Sequence, residues 1–179
     1  MSDQVLMDAI AVERSVTRLS HEILEKNGSP ETIVLIGIHK RGVPLAARIQ
    51  AKIHEISGVE LEQGSLDITF HRDDYRERLV IPQIKGSDIP FSLDGKVVVL
   101  VDDVLYTGRT IRAALDVLNS FGRASRVQLA VLVDRGHREL PVRADFVGKN
   151  IPTHEDEHVH VELRETDEDD RVFLIRIQD

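Results

Sequence analysis

The chain has 179 residues, no cysteine and a formal net charge of −8. This length fits one domain with a sizeable core, and the lack of cysteine excludes a disulfide framework and suits a reducing compartment. The polar start MSDQVLMDAI lacks the apolar stretch of a signal peptide, and no run approaches the length of a membrane span. We therefore expect a cytoplasmic protein with no membrane partner.

The first half of the chain alternates between helical and strand patterns. It predicts a helix over 5–26, a buried strand over 33–38, a helix from Pro44 to Gly58 and a strand over 66–70. The apolar side chains expected to face the core from these two helices are Val12, Val16, Leu19, Ile23, Leu45, Ile49, Ile53 and Ile56.

The second half continues the alternation. It predicts a buried strand over 97–101, then a helix with Ile111, Leu115, Leu118 and Phe121 inward that ends at Gly122. Further strands are expected over 127–134, 144–151, 158–163 and 171–177. Alternating strands and helices favour an α/β fold with a mostly parallel central sheet between helices.

The pattern breaks down between residues 71 and 96, HRDDYRERLVIPQIKGSDIPFSLDGK. A long irregular stretch inside a compact domain is usually a functional lid or disorder. The alternative is a surface hairpin with no role in function.

Two adjacent acids, Asp102 and Asp103, follow the strand over 97–101, and the turn Thr107–Thr110 follows them. Ligands of open parallel sheets bind beyond the carboxyl ends of the strands. Backbone N–H groups at a helix start suit a phosphate, and Gly108 permits close approach. The carboxylates suit sugar hydroxyls, so the motif predicts a phosphorylated sugar, although an acidic pair alone is common in α/β proteins.

A second loop, His39-Lys40-Arg41-Gly42, follows the strand over 33–38 at the same predicted sheet edge. Two adjacent cations beside a glycine can bind an anionic group. One ligand with a phosphate at one end and a diphosphate at the other would bridge both loops. The alternative is a solvated basic loop.

The segment VVLVDDVLYTGRT resembles the phosphoribosyl-pyrophosphate signature of type I phosphoribosyltransferases. Its DDVLYTGRT form resembles the uracil phosphoribosyltransferases that also regulate bacterial pyrimidine operons. GIHKRGVPLA resembles their pyrophosphate loop, DITFHRDDY the entry to their mobile loop, and VDRGHRELPVRADFVGKNIPT their base-covering hood. The resemblance implies a single type I phosphoribosyltransferase domain over 1–179, with a mobile loop at about 71–90 and a hood at about 135–165.

The resemblance also implies a reaction: uracil and phosphoribosyl pyrophosphate give UMP and pyrophosphate, with Mg²⁺ as cofactor. Asp102 and Asp103 would hold the ribose hydroxyls, Thr107 to Thr110 the 5-phosphate, and Lys40 and Arg41 the pyrophosphate. The implied catalytic residues are Asp102, Asp103 and Arg41. The implied substrate-binding residues are Lys40, Arg41, Asp102, Asp103, Val104, Leu105, Tyr106, Thr107, Gly108, Arg109, Thr110 and Arg135.

The protein is not expected to bind a metal on its own, and Mg²⁺ would be held mainly through the substrate. His154, His158 and His160 have a spacing that could suggest a metal cluster, but beside so many acids an exposed strand edge is the commoner interpretation. Arg135 either reaches the base or caps the sheet.

A second function concerns RNA. Residues 154 to 170 hold nine acids and one arginine, so the rest of the chain is neutral and can carry a basic face. Arg14, Arg18 and His21 share one helix face, and residues 123–143 hold five arginines against two acids. Solvated basic faces would look the same. The regulators that the chain resembles bind the leader of pyrimidine-operon mRNA, and the resemblance implies RNA contacts from Arg14, Thr17, Arg18, His21, Arg138 and Arg143.

We therefore predict a uracil phosphoribosyltransferase that is also an RNA-binding attenuator responsive to uridine nucleotides, and that forms a homo-oligomer. Two alternatives remain open from the sequence. One is a hypoxanthine-guanine phosphoribosyltransferase without an RNA role, because DFVGKNIP also resembles the hood of those enzymes. The other is an RNA-binding regulator whose catalytic site is only a nucleotide sensor.

Overall fold

The computed structural model describes residues 4–69 and 86–176. Its helices are α1 (Ala9–Asn27), α2 (Gly42–Ser57) and α3 (Arg109–Leu118). Its strands are β1 (Gln4–Met7), β2 (Ile33–Ile38), β3 (Glu62–Leu66), β4 (Val97–Leu105), β5 (Arg126–Asp134), β6 (Phe146–Asn150), β7 (Glu157–Glu162) and β8 (Arg171–Arg176). Most of the predicted mobile loop, 71–85, lies outside the described residues.

Five strands form a parallel sheet in the order β3-β2-β4-β5-β6, which confirms the predicted α/β fold. The pairing of β2 with β4 sets Gly37 opposite Val101. The loop after β2 and the acidic pair at the end of β4 therefore lie at the same edge of the sheet.

A second, smaller sheet joins β1, β8 and β7 in antiparallel order. Its first strand corrects the predicted helix over 5–26, which begins only at Ala9. Asp8 caps that helix, since its carboxylate accepts a 2.8 Å hydrogen bond from the amide of Ala11. The residues before the cap are free to pair with β8.

The strand predicted over 66–70 is also wrong in its position. The structure places β3 at Glu62–Leu66, with Ile38 opposite Leu66. Pairing with β2 therefore outweighs the apolar pattern of LDITF. Asp67 ends the strand with a local turn, because its carboxylate accepts hydrogen bonds from both the amide and the hydroxyl of Thr69.

The core lies on both faces of the large sheet. Helices α1 and α2 pack on one face and α3 on the other. Two residues predicted to face inward, Ile56 and Leu115, are more than a third exposed. Ile56 lies in the last turn of α2, and Leu115 lies beside a core face that Ile111, Ala114 and Leu118 define at spacings of three and four.

Helix α3 ends earlier than predicted. It stops at Leu118, and a short 3-10 turn over Asn119–Phe121 carries the chain to Gly122. Phe121 packs against the core from that turn rather than from the helix. Within the part of the chain that the structure describes, no helix is both long and apolar enough to cross a membrane.

Gly37 fixes how closely α2 approaches the sheet. A Cβ atom there would lie 2.5 Å from the Cα of Val43 and 2.6 Å from the carbonyl oxygen of Gly42. We expect Gly37→Ala to lower the free energy of unfolding by about 1–3 kcal/mol, because backbone must move to admit the methyl group. Denaturant unfolding measures this.

Ile36→Val is the matched comparison, because it removes one methyl group from the fully buried neighbouring residue and should cost only about 1 kcal/mol. If Gly37→Ala were as stable as the unmodified protein, α2 would not approach the β2 backbone as closely as the structure shows.

Candidate active site and RNA-binding surface

The acidic pair lies within β4, which continues to Leu105 rather than ending at the predicted residue 101. Asp102 is 6% exposed and Asp103 is half-buried. Each carboxylate accepts a hydrogen bond from the amide of the next residue, at 2.9 Å for Asp102 and 2.8 Å for Asp103. These bonds fix both side chains at the carboxyl edge of the sheet.

The Thr107–Thr110 turn connects β4 to α3 with Gly108 in the left-handed region, at φ +93°. The hydroxyl of Thr107 accepts a hydrogen bond from the amide of Arg109. The first amides of α3 therefore start at this turn, in the arrangement that binds phosphate in other helices.

A segment of the predicted hood holds the turn in place, a contact that the sequence reasoning did not predict. The amides of Glu139 and Leu140 donate to the carbonyl of Thr107, at 3.0 and 3.1 Å. Glu139 also forms a 2.7 Å ion pair with Arg109. A Cβ atom on Gly108 would lie 3.2 Å from the side chain of Val142. The turn is packed against this segment as well as against the sheet.

The loop after β2 reaches the acidic pair through Gly42. A Cβ atom on Gly42 would overlap the carbonyl oxygen of Val101 and lie 3.3 Å from the Cα of Asp102. The loop contains a cis peptide between His39 and Lys40, and Lys40 is exposed. The structure thus brings together the two loops that the sequence predicted to share one ligand.

Arg41, predicted to bind pyrophosphate, forms a two-point ion pair with Asp167. Its Nε and Nη2 donate to the two carboxylate oxygens at 3.0 and 2.9 Å. This hydrogen bonding raises the pKa of Arg41 and holds the pKa of Asp167 well below its usual range. Since the folded pKa of Asp167 is lowered, the pair stabilises the fold above about pH 4 and loses that contribution as the pH falls through the lowered pKa.

Asp167 belongs to the turn 163–170 between β7 and β8, which we call the acidic turn. Arg48 on α2 holds the same turn, with ion pairs of 2.6 Å to both Glu165 and Asp170. The hydrogen bonds that Arg48 donates to the carboxylate of Glu165 raise the pKa of Arg48. Sequence reasoning missed these partners, because more than 110 residues separate them from Arg41 and Arg48 and no motif connects them.

Arg135 is 4% exposed and its donors point inward. Its Nε donates to the hydroxyl of Thr153 at 3.1 Å and its Nη2 to the carbonyl of Glu157 at 2.7 Å. Its guanidinium lies 4.0 Å from the ring centroid of Tyr106. Of the two interpretations from the sequence, these contacts favour a supporting role at the end of β5, where Arg135 stacks on the ring that precedes the Thr107–Thr110 turn.

The four residues predicted on α1 come together at the surface. Arg14, Thr17, Arg18 and His21 line a shallow cavity of about 410 Å³, together with Glu13. Arg18 also donates to the carbonyls of Val147 and Gly148 on the edge strand β6. The predicted RNA surface is therefore a continuous patch next to β6.

The two predicted RNA contacts beyond α1 differ from each other. Arg143 is exposed. Arg138 is directed inward and donates to the carbonyls of Val142 and Tyr106, both at 2.8 Å, and to Asp134 at 2.5 Å. Arg138 therefore braces the segment that holds the Thr107–Thr110 turn.

Within residues 4–69 and 86–176, no group of three or more histidine and carboxylate side chains is arranged to hold a metal ion. Carboxylate oxygens such as those of Asp102 and Asp103 are nevertheless ligands that Mg²⁺ prefers. They fit a cation that also contacts a sugar diphosphate.

The chain is similar to known proteins over almost its whole length. The phosphoribosyl transferase domain family matches residues 5–166. The bifunctional protein PyrR of Roseiflexus sp. is 54% identical over 98% of this chain and 97% of its own, and that of Bacillus mycoides is 55% identical over 95% and 96%.

Solved structures share the fold at much lower identity. The hypoxanthine phosphoribosyltransferase of Trypanosoma cruzi has a TM-score of 0.75 at 18% identity, over 99% of this chain and 98% of its own. A hypoxanthine-guanine phosphoribosyltransferase of Bacillus anthracis has a TM-score of 0.72 at 20% identity, over 96% and 97%. The structures establish the type I phosphoribosyltransferase fold, and the relatives above 50% identity establish that this chain belongs to the bifunctional PyrR proteins of the phosphoribosyltransferase family.

Proposed function

We propose that the two activities of this bifunctional protein, uracil phosphoribosyl transfer and RNA-dependent regulation of pyrimidine genes, use two separate surfaces. The observation that supports this division is the placement of the predicted residues. The acidic pair and the loop with Lys40 and Arg41 meet at the carboxyl edge of the sheet, whereas the α1 patch opens at β6, two strands away from β4.

At the sheet edge, Asp102 and Asp103 accept hydrogen bonds from the ribose hydroxyls of phosphoribosyl pyrophosphate, and the amides at the start of α3 bind its 5-phosphate. The bond between the ribose C1 and the diphosphate breaks as a bond forms between C1 and N1 of uracil. The diphosphate leaves with the electron pair of the broken bond, and uracil N1 loses its proton. In the transition state, while both bonds to C1 are weak, the ribose carries positive charge, which the nearby carboxylates stabilise. No nucleophilic side chain is needed, because positioning and charge stabilisation carry the reaction.

Lys40 and Arg41 stabilise the charge that builds on the departing diphosphate. Mg²⁺, when bound with the substrate, neutralises part of that charge. The predicted mobile loop would exclude water from the site. The predicted hood, 135–165, covers the base, with Arg135 holding Tyr106 in place.

On the second surface, Arg14, Thr17, Arg18 and His21 contact the leader of pyrimidine-operon mRNA. Arg143 adds a contact, while the internal hydrogen bonds of Arg138 favour a role in shaping the loop that carries it. The RNA is recognised by shape and backbone more than by stacking on aromatic side chains, since the patch contains no Phe, Tyr or Trp and His21 is its one ring. Both activities belong to the bacterial cytoplasm, and UMP would connect them.

The alternative of a purine enzyme has less support. The purine phosphoribosyltransferases match at 18–22% identity, which extends to the fold alone, whereas the PyrR relatives match at 53–55%. A panel of uracil, hypoxanthine and guanine with phosphoribosyl pyrophosphate and Mg²⁺ tests this directly. The homo-oligomer remains a prediction, which analytical ultracentrifugation tests.

We predict that Asp102→Asn combined with Asp103→Asn lowers kcat/KM for phosphoribosyl pyrophosphate by roughly 10²- to 10³-fold. The loss follows because neutral amides cannot stabilise positive charge on the ribose. The control is Glu60→Gln with Glu62→Gln, which removes two exposed carboxylates at the amino-terminal end of β3, away from the carboxyl edge of the sheet. Turnover near that of the unmodified protein would show that the acidic pair does not hold the ribose. Turnover absent in the unmodified protein as well, with UMP binding retained, would select the nucleotide-sensor alternative.

Gly108→Val should weaken UMP binding. A branched residue at φ +93° is strained and its side chain would press on Val142, at a cost of about 1–3 kcal/mol, or roughly fivefold to a hundredfold in Kd. Calorimetric titration with UMP measures the change. Asp116→Asn, on the exposed side of α3, is the control. Unchanged affinity in Gly108→Val would remove the turn from the phosphate site.

Arg18→Gln should weaken binding to the leader RNA with little change in uracil turnover. Each lost phosphate contact flattens the log–log dependence of affinity on salt by about 0.7–0.9. Arg164→Gln removes the same charge from an exposed arginine in the acidic turn and should change neither measurement. Arg14→Gln is a second test of the patch. Unlike Arg18, whose loss also removes hydrogen bonds to β6, Arg14 makes no such bond among the residues that the structure describes.

The double substitution of the acidic pair supplies the opposite half of this comparison, since it should lose turnover and keep RNA binding measured without nucleotide. If Arg18→Gln and Arg14→Gln both bind RNA as tightly as the unmodified protein across the salt series, the α1 patch is a solvated surface. The arginines of residues 123–143 are then the remaining candidates.

A further inference from the structure

The acidic turn reaches across to the loop predicted to bind pyrophosphate, and Asp167 makes that contact. The side chains of Arg41 and Asp167 are 22% and 18% exposed, so the ion pair is largely shielded from water. A shielded, two-point pair of this kind is stronger and better oriented than a typical surface ion pair.

Asp167 is itself fixed by its own turn. One of its carboxylate oxygens accepts hydrogen bonds from the amide of Leu163 at 3.0 Å and from the hydroxyl of Thr166 at 2.7 Å. The same oxygen also accepts the Nε of Arg41. Three donors on one oxygen hold the carboxylate in a single orientation. Because the guanidinium of Arg41 binds this fixed carboxylate at two points, its own orientation is fixed as well.

The geometry leaves part of the Arg41 guanidinium for another partner. A guanidinium has five N–H donors, and the two bonds to Asp167 use the edge formed by Nε and Nη2. The outer edge, formed by Nη1 and the second hydrogen of Nη2, points away from Asp167. That edge has the two-donor shape that binds phosphate oxygens.

The rest of the loop places Arg41 near the acidic pair. Gly42, the next residue, packs on the β4 backbone at Val101 and Asp102. The charge of Asp103 also acts on Arg41 and favours its protonated form. Arg41 therefore lies between the acidic turn and the acidic pair, at the side of the site where the diphosphate would leave.

We propose that Asp167 is a positioning residue for the phosphoribosyl transfer: it orients Arg41 so that its outer edge binds the diphosphate of the substrate. This inference rests on the proposed role of Arg41. Asp167 does not touch the substrate and acts only through the guanidinium. Asp167 thereby connects the acidic turn to the pyrophosphate site, whereas Glu165 in the same turn pairs with Arg48 on α2.

The ion pair between Asp167 and Arg41 could instead compete with diphosphate binding, and this hypothesis predicts the opposite change in affinity. If Asp167 competed with the diphosphate for Arg41, removal of its charge would tighten binding. The sign of the change in affinity for inorganic pyrophosphate with Mg²⁺ therefore separates positioning from competition.

The test compares four variants by calorimetric titration with pyrophosphate and Mg²⁺ and by steady-state kinetics: Arg41→Gln, Asp167→Asn, the two combined, and Glu165→Gln. We expect Asp167→Asn to weaken pyrophosphate binding about three- to tenfold and to raise KM for phosphoribosyl pyrophosphate by a similar factor, with KM for uracil unchanged. On the Arg41→Gln background, Asp167→Asn should have no further effect. Glu165→Gln removes the same charge from the same turn but pairs with Arg48, so it should leave pyrophosphate affinity unchanged.

The outcomes distinguish the two hypotheses. If Arg41→Gln leaves pyrophosphate affinity unchanged, the proposed role of Arg41 is wrong and the positioning role falls with it. If Arg41→Gln weakens binding but Asp167→Asn leaves it unchanged or tightens it, Arg41 binds pyrophosphate and Asp167 does not position it. A loss in Asp167→Asn that persists on the Arg41→Gln background also overturns the proposal. Should Asp167→Asn fail to fold, Asp167→Glu replaces it: the charge stays but the carboxylate moves by one methylene, and binding must still weaken for the proposal to stand.

Discussion

The contact of Gly42 with the β4 backbone sets the geometry of the site. Parallel pairing aligns the ends of β2 and β4, but alignment alone would leave room for any loop between them. The absence of a side chain at residue 42 lets the start of α2 rest directly on Val101 and Asp102. The distance between the cationic loop and the acidic pair is therefore fixed by main-chain contact, which does not depend on the rotamers of the charged side chains.

The same constraint explains which features could be predicted from the sequence. The buried strands β2, β4 and β5 read as continuous apolar runs because helices cover both faces of the sheet, and the two motifs follow those strands directly. β1 and β3 could not be placed in the same way. Each gains its hydrogen bonds from a partner strand, and their own residues, QVLM and EQGSL, carry little strand pattern.

Side-chain partners were the least predictable part of the site. Arg41 and Arg138 were both interpreted as groups that face a ligand, and both have carboxylate partners within the chain. Arg138 also shows why a cluster of arginines in the sequence does not by itself predict a binding surface. Arg138 has partners within the chain, whereas Arg143 in the same cluster is exposed. By contrast, the local helix spacing on α1, which needs no tertiary information, placed Arg14, Arg18 and His21 together as expected, and Thr17 lies with them.

The ion pairs of the acid-rich residues 154–170, the acidic segment, also bear on how a protein of net charge −8 can bind RNA. Many of its carboxylates are paired: Asp167 with Arg41, Glu165 and Asp170 with Arg48, Glu157 with Arg176 and Glu162 with Arg171. A paired charge produces a dipolar field, which falls off faster than that of a single charge, and salt screens what remains beyond about 10 Å at 0.1 M ionic strength. The acidic segment can therefore hold Arg41 in its loop without repelling an RNA backbone from the proposed RNA surface on α1. The net charge of the chain says little about either surface, because the local arrangement of paired and exposed side chains decides what each one attracts.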